Sequence, residues 1–198
     1  IAAGDLIPTL GGYNPFNVSN DQLIDPTTGR VNSNAQLLYQ DDWMDEATKD
    51  SPLRQEYQFS VSGGNSNTNY NFSLGYLNED GLAVNTGFER FSGRMNIDSQ
   101  IKKWLKSGIS FSLTDSKQEI GCDNDVIMNA FRQQPSVAVA NPDGTFDGPD
   151  DIWMPVNPVA MATIRENYNK KLNFRVNTYL EATILKDFTF KTELSADY

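Results

Sequence analysis

Segments in which apolar and polar residues alternate strictly constrain the fold of this chain more than any other feature. Four of them lie between residues 54 and 115, joined by a short, a longer and another short turn. Their apolar positions, many of them aromatic, are Tyr57, Phe59, Val61, Tyr70, Phe72, Leu74, Tyr76, Phe91, Met95, Ile97, Ile109, Phe111 and Leu113. Because successive side chains of a strand point to opposite faces, the pattern predicts an all-β, antiparallel up-and-down meander with one apolar and one polar face. Such strands are typical of transmembrane β-barrels, with lipid on one side and a wet lumen on the other.

The same pattern divides the chain into four expected parts. Residues 1–53 form a turn-rich loop segment, with a helix predicted at 34–49 that Asn34 would cap. Residues 54–115 hold four strands, at about 54–62, 69–78, 90–99 and 105–115, and residues 171–198 hold two more, the last truncated. The long loop between them, residues 116–170, carries two predicted short helices. One covers 125–132 with Asn124 as its cap, and the other begins at Pro158 with Asn157 as its cap.

The connection lengths read short, long, short, very long and short along the chain. Outer-membrane barrels place short turns on the periplasmic side and long loops outside, so we expect residues 1–53, 80–89 and 116–170 to be extracellular. The alternative is a soluble antiparallel β-domain that binds carbohydrate. In the barrel, Tyr57, Tyr70, Tyr76 and Trp104 would form an aromatic girdle at the membrane interface. In the soluble domain, they would form the core of a sandwich.

Composition excludes several classes of function. The net charge of −10 argues against nucleic acid as a partner, because phosphates require a basic surface. The chain has no histidine, and its single cysteine is Cys122, so histidine-dependent and cysteine–histidine catalysis are excluded within it. The acidic segment 143–151 lacks the spacing of a calcium loop and is explained by turn chemistry. We therefore predict no catalytic residue, no metal and no cofactor, and no enzyme activity.

Several short motifs, in a fixed order, resemble those of a known protein family. They are DWMDE at 42–46, SVSGG at 60–64, YNFSLGY at 70–76, EDG at 79–81, RFSGRMN at 90–96 and WLKSG at 104–108. Farther on, Asn157-Pro158 precedes a strand that ends in ILKDF at 184–188. In this order and spacing, over residues 36–198, the chain resembles the SusC/RagA family of TonB-dependent outer-membrane transporters.

The resemblance implies a wall segment of a 22-stranded barrel in the bacterial outer membrane, surrounded by lipid and closed by a plug domain. Such a transporter takes up oligosaccharides or peptides with a SusD-like surface lipoprotein, and the TonB complex of the inner membrane supplies energy through the plug. Six strands cannot close a barrel of that size. We therefore expect the chain to be an internal fragment, with the plug and most of the barrel outside it.

Candidate functional residues fall into two groups. Arg90, Arg94, Asp98, Arg175 and Glu181 fall on the polar face, where they are expected to line the lumen or contact the plug, or else to be solvated or mutually paired charges. The aromatic residues of the long loop are Phe146 and Trp153. They could stack on substrate or contact the lid protein, and local packing is the alternative.

Overall fold

One antiparallel sheet of six strands dominates the computed structural model, which describes residues 7, 13–146, 156–185 and 187–198. The strands follow chain order, and each pairs with its neighbours in sequence. Their bounds are β1 Arg54–Gly64, β2 Thr68–Asp80, β3 Thr86–Lys102, β4 Leu105–Ile120, β5 Tyr168–Ile184 and β6 Phe188–Asp197. The predicted antiparallel meander is confirmed.

The register places the alternating residues as predicted. Tyr57 lies opposite Tyr76, Phe72 opposite Met95, and Phe111 opposite Val176, so the apolar residues of successive strands share one face. The β1–β2 turn is fixed by its own polar groups. The side-chain oxygen of Asn65 accepts hydrogen bonds from the backbone N–H groups of Asn67 and Thr68, at 2.8 and 2.9 Å.

The strands are longer than the alternation alone indicated. β3 has 17 residues and β5 also has 17, whereas the apolar pattern covered about ten residues of each. The extra residues carry polar side chains at positions of the otherwise apolar face, including Glu89, Lys117 and Lys170. Because strand pairing uses backbone groups, the ladder continues where the hydrophobic pattern has already ended.

Residues 1–51, 81–86 and 120–167 form a second compact unit, here called the loop unit. Within its described residues, the α-helices with defined bounds are α1 Trp43–Glu46, α2 Asn124–Arg132 and α3 Pro158–Ile164, and Asn20–Gln22 forms a short 3-10 helix. A core of Trp43, Ala47, Ala130 and Val137 holds the first two helices together. The indole N–H of Trp43 donates to the carbonyl oxygen of Gln134 at 3.0 Å, which joins segments 91 residues apart.

The helix predicted at 34–49 is wrong over most of its length. Only Trp43–Glu46 is helical, and its cap is Asp42, whose carboxylate accepts from the N–H groups of Met44 and Asp45. The preceding residues pair with an earlier segment instead: Asn17 N–H donates to the Gln36 carbonyl, and Leu38 N–H donates to the Pro15 carbonyl. These partners occupy the backbone groups that a helix would have needed.

The other two helices form where they were predicted. The cap of α2 is Asp123 rather than Asn124, because the Asp123 carboxylate accepts from the N–H groups of Asp125 and Val126. The side chain of Asn157 caps α3 as expected and accepts from the Ala160 N–H at 3.0 Å. Within the described residues, every helix is too short or too polar to cross a membrane.

Candidate functional site

The apolar face of the sheet is exposed. Tyr57 and Phe59 are 61% and 59% exposed, and large apolar side chains on all the other strands are also accessible. The strands of the described residues form a single six-stranded sheet, so no second sheet covers this face within that part of the chain. A sandwich core would bury these side chains. The soluble-domain interpretation is therefore at odds with the geometry of this face.

Aromatic residues lie at both ends of the apolar face. At the end where β2 leads into residues 81–86, Tyr57 and Tyr76 lie opposite each other, and the Tyr76 hydroxyl donates to Glu89 Oε1 at 2.9 Å. At the other end, Tyr70 and Phe190 are exposed. Trp104, in the turn between β3 and β4, lies opposite Thr183 and beside Lys102, so it has the parity of the polar face. Three of the four residues of the predicted girdle, Tyr57, Tyr70 and Tyr76, thus share the apolar face.

The polar face carries a floor of serine, threonine and asparagine side chains. Ser73, Asn96 and Ser110 belong to it, and Ser110 Oγ lies 2.7 Å from Asn96 Oδ1. That contact joins β3 to β4 on this face, and the approach of Asp98 Oδ1 to Gly108 agrees with the same pairing of the two strands. Exposed ion pairs surround the floor, among them Arg54–Glu79 at 3.0 Å and Lys106–Glu181 at 3.5 Å.

All five charged candidates lie on this polar face, but most have partners within the sheet. Arg90 reaches Glu56 at 4.0 Å, Arg175 reaches Asp197 at 2.6 Å, and Glu181 is the partner of Lys106. Asp98 accepts a hydrogen bond from the Tyr179 hydroxyl at 2.8 Å. Arg94 stands apart, since it has no ion pair or hydrogen bond with any described residue. Four of the five thus have an ion-pair or hydrogen-bond partner within the sheet.

Tyr179 is the residue of this face that the alternation analysis passed over. Its ring covers the backbone of Gly108, its hydroxyl reaches Asp98, and Lys191 Nζ lies 5.0 Å from its centroid. It therefore contacts β3, β4 and β6 from its place on β5. On β5, Tyr179 is separated from Arg175 and Glu181 by an even number of positions, so the alternation alone predicts that it lies on the same polar face.

Comparison with known proteins agrees with this geometry. No family model matches the chain. A TonB-dependent receptor, P3, of Formosa agariphila is 31% identical over 163 residues, covering 76% of this chain and 16% of the receptor. The TonB-dependent receptor SusC of Bacteroides thetaiotaomicron is 24% identical over 117 residues, covering 59% of this chain and 12% of SusC.

Among solved structures, the RagAB peptide transporter superposes with a TM-score of 0.62 and 23% identity, covering 80% of this chain and 19% of the matched chain. The predicted resemblance to SusC/RagA transporters is confirmed. The chain thus spans between 12 and 16% of the length of these curated receptors. In fold, the six strands match one part of a SusC/RagA-type barrel.

Of the two aromatic candidates in the long loop of this SusC/RagA-like segment, one is among the described residues. Phe146 is half-buried and follows a turn in which Asp143 accepts from the Thr145 hydroxyl and N–H, at 2.6 and 2.9 Å. Those two hydrogen bonds hold the pKa of Asp143 below its ordinary value of 3.8. Trp153 lies outside the described residues. Asp143 is therefore engaged in local turn chemistry, as the sequence predicted for this segment.

Two further titratable groups of the loop unit are perturbed. Hydrogen bonds from the N–H groups of Thr27 and Thr28 lower the pKa of Asp25. Burial, and to a lesser extent the charge of Asp123, raises the pKa of the Cys122 thiol. A raised thiol pKa keeps Cys122 protonated and weakly nucleophilic at neutral pH. Among the described residues, no three histidine, cysteine or acidic side chains are grouped closely enough to hold a metal ion.

Proposed function

We propose that this chain forms part of the barrel wall of an outer-membrane nutrient importer. The observation that carries the proposal is the exposed apolar face with aromatic residues at both ends, opposite a face of hydroxyl and amide groups. A sheet in water would bury such a face, whereas a sheet in a bilayer would direct it to lipid. The relatives support the proposal, because they are receptors and transporters rather than enzymes.

The importer would be energised through TonB and would work with a SusD-like surface lipoprotein. TonB dependence is part of the relatives' names, and the matched structure contains the RagAB pair. The substrate would be an oligosaccharide or a peptide, and the match to the RagAB peptide transporter supports the peptide class. In this arrangement residues 1–53, 80–89 and 116–170 face outside, and Phe146 and Trp153 contact the substrate or the lid.

Spin labels on neighbouring residues test the orientation of the sheet. In the intact protein, with Cys122 replaced by serine, labels would be placed at Leu74 and Leu113 and at their neighbours Ser73 and Ser112. We expect the leucine positions to be accessible to oxygen, which concentrates in lipid, and the serine positions to be accessible to a water-soluble nickel complex. If the labels at Leu74 and Leu113 were shielded from both reagents, the proposal would fail in favour of a buried soluble core.

The outward position of the loops has its own test. Protease added to whole cells should cut within residues 80–89 or 116–170 and leave the short turns near Asn65 and Lys102 intact. Cleavage confined to those turns would reverse the proposed orientation.

A further inference from the structure

Two lysines lie side by side on the apolar face of the sheet, beyond the last apolar residues of β4 and β5. Lys117 has the parity of Leu113 on β4, and Lys170 has the parity of Leu172 on β5. The register places Lys117 directly opposite Lys170. Because like charges that lie opposite each other in a sheet repel, this pair calls for a compensating anion on the same face.

Within the sheet, a carboxylate compensates only one of the two lysines. Lys117 Nζ lies 2.6 Å from Glu119 Oε1. The Lys170 side chain has no ion pair or hydrogen bond with any described residue, and its Nζ lies over the Tyr168 ring, 5.3 Å from the centroid. Lys117 Nζ lies 5.7 Å from the same centroid. The two ammonium groups therefore converge on one half-exposed ring.

The other acids of this part of the face belong to β3 and β4. Asp115 lies opposite Leu172, so it is diagonal to Lys170 rather than beside it. Glu89 is on β3 and is separated from β5 by the whole of β4. It accepts a hydrogen bond from the Tyr76 hydroxyl at 2.9 Å. Lys170 is thus the cation of this group that no described carboxylate reaches.

The position of the pair along the strands indicates what surrounds it. Lys170 lies two residues beyond Leu172, which is half exposed. Two residues of a strand span about 7 Å, or about 5 Å of depth in a strand tilted by about 45°. The polar layer on each side of the hydrocarbon core of a bilayer is about 5–7 Å thick. The two ammonium groups therefore fall in the layer of lipid headgroups, on the outer side of the barrel wall.

We propose that Lys170, with Lys117 as a second cation, binds a phosphate group of the glycolipid in the outer leaflet of the membrane. A phosphate monoester carries about −1.5 to −2 charges at neutral pH, which suits two converging ammonium groups. Lysine is a common phosphate ligand, and the Tyr168 ring is amphipathic, as is typical of residues at the membrane interface. This inference rests on the proposed function, in which this end of the sheet faces outside.

Titration of the intact, delipidated protein in detergent tests the proposal. The probes are monophosphoryl lipid A and the same lipid after removal of its phosphate, and native mass spectrometry counts the bound lipid. We expect the phosphorylated lipid to bind more tightly, and Lys170→Gln to weaken its binding about fivefold, the usual contribution of one lysine at an anionic lipid surface. Lys171→Gln is the matched control, because it removes the same charge one residue away, opposite Ser116 on the polar face.

Four outcomes would overturn the proposal. They are equal binding of the two lipids, wild-type affinity of Lys170→Gln, an equal loss in Lys171→Gln, and displacement of the lipid by inorganic phosphate of equal affinity. The third would show a response to net charge, and the fourth would show a site for a free anion instead of a glycolipid. A failure of the proposed function would appear separately, as spin labels at Leu74 and Leu113 that oxygen does not reach.

Discussion

The loop unit and the sheet treat their apolar side chains in opposite ways. In the loop unit, Trp43, Val126 and Val137 are almost completely buried. In the sheet, aromatic and aliphatic residues such as Phe59 and Leu194 are mostly exposed. The first unit has the ordinary core of a structure that is stable in water, whereas the second needs an apolar surrounding to satisfy one face. The loop unit is therefore suited to water, whereas the apolar face of the sheet is suited to lipid.

The largest expected effect concerns the core of the loop unit. Trp43→Ala removes a buried ring and the hydrogen bond to Gln134, and should destabilise this unit by about 3–5 kcal/mol. Hydrogen exchange of segment 124–139 should accelerate by about a hundredfold or more. Trp104→Ala is the control, because Trp104 is half exposed and its loss should leave that segment unchanged. Equal effects of the two variants would mean that the loop unit is not held by its own core.

The next prediction compares the two faces of the sheet with one introduced charge. Phe72→Arg places a cation in the middle of the apolar face and should cost about 2–4 kcal/mol in a bilayer. Asn71→Arg, one residue away on the polar face and opposite the neutral side chains of Ser62 and Asn96, should cost little. The measurement is the urea concentration that unfolds each variant of the intact protein in lipid vesicles. Similar destabilisation by both variants would remove the distinction between a lipid face and a lumen face.

A smaller effect is expected at a glycine of the polar face. A Cβ at position 108 would clash with the Tyr179 ring and approach Asp98 Oδ1, so Gly108→Ala should displace the ring and cost about 1–3 kcal/mol. At Gly93 the added methyl group would meet Leu74 Cδ2 at 3.6 Å, which is an ordinary contact, so Gly93→Ala is the control. Thermal denaturation of the two variants, followed by loss of the compact band on electrophoresis, makes the comparison. A neutral Gly108→Ala would show that the Tyr179 packing contributes little.

The smallest expected effect is a pH dependence of amide hydrogen exchange at Thr145 in the loop unit. The hydrogen bonds from Thr145 lower the pKa of Asp143. The ionised carboxylate therefore stabilises the turn fully at pH values above 3.8, the ordinary pKa of an aspartate. That stabilisation is lost as the pH falls through the lowered pKa. The Thr145 amide should exchange faster, relative to neighbouring amides, below that pKa. Asp143→Asn should show no such change. A variant that kept the pH dependence would assign it to another group.

The alternation predicted the meander because the face on which a strand residue lies depends only on its position along that strand. Once Tyr57, Phe72 and Phe111 fall at the right parity, pairing of neighbouring strands brings them to one face without further information. The ends of the strands were less accessible to prediction. At Glu89 and Lys117 the hydrophobic pattern stops, but backbone pairing, which does not depend on side-chain polarity, goes on.

The helix at 34–49 shows a different limit. Leu38, Trp43 and Ala47 have helical spacing, yet residues 36–38 pair with residues 15–17 and only one turn of helix forms around Trp43. Long-range pairing decides that outcome, and a local pattern carries no information about it. The same limit applies to the charged candidates. Strand parity predicted that Arg94 and Arg175 lie on the polar face, but it could not predict which of them would pair with a carboxylate.

The sequence by itself thus determined the class of fold, the two faces and the family resemblance, because each of these depends on the order and period of residues along the chain. Only the tertiary structure decided that the apolar face stays exposed, that Tyr179 covers Gly108 and reaches Asp98, and that Asp197 pairs with Arg175 and leaves Arg94 open. These features depend on which strands become neighbours and in which register. Register is set by the summed pairing of whole strands, so no single motif reports it.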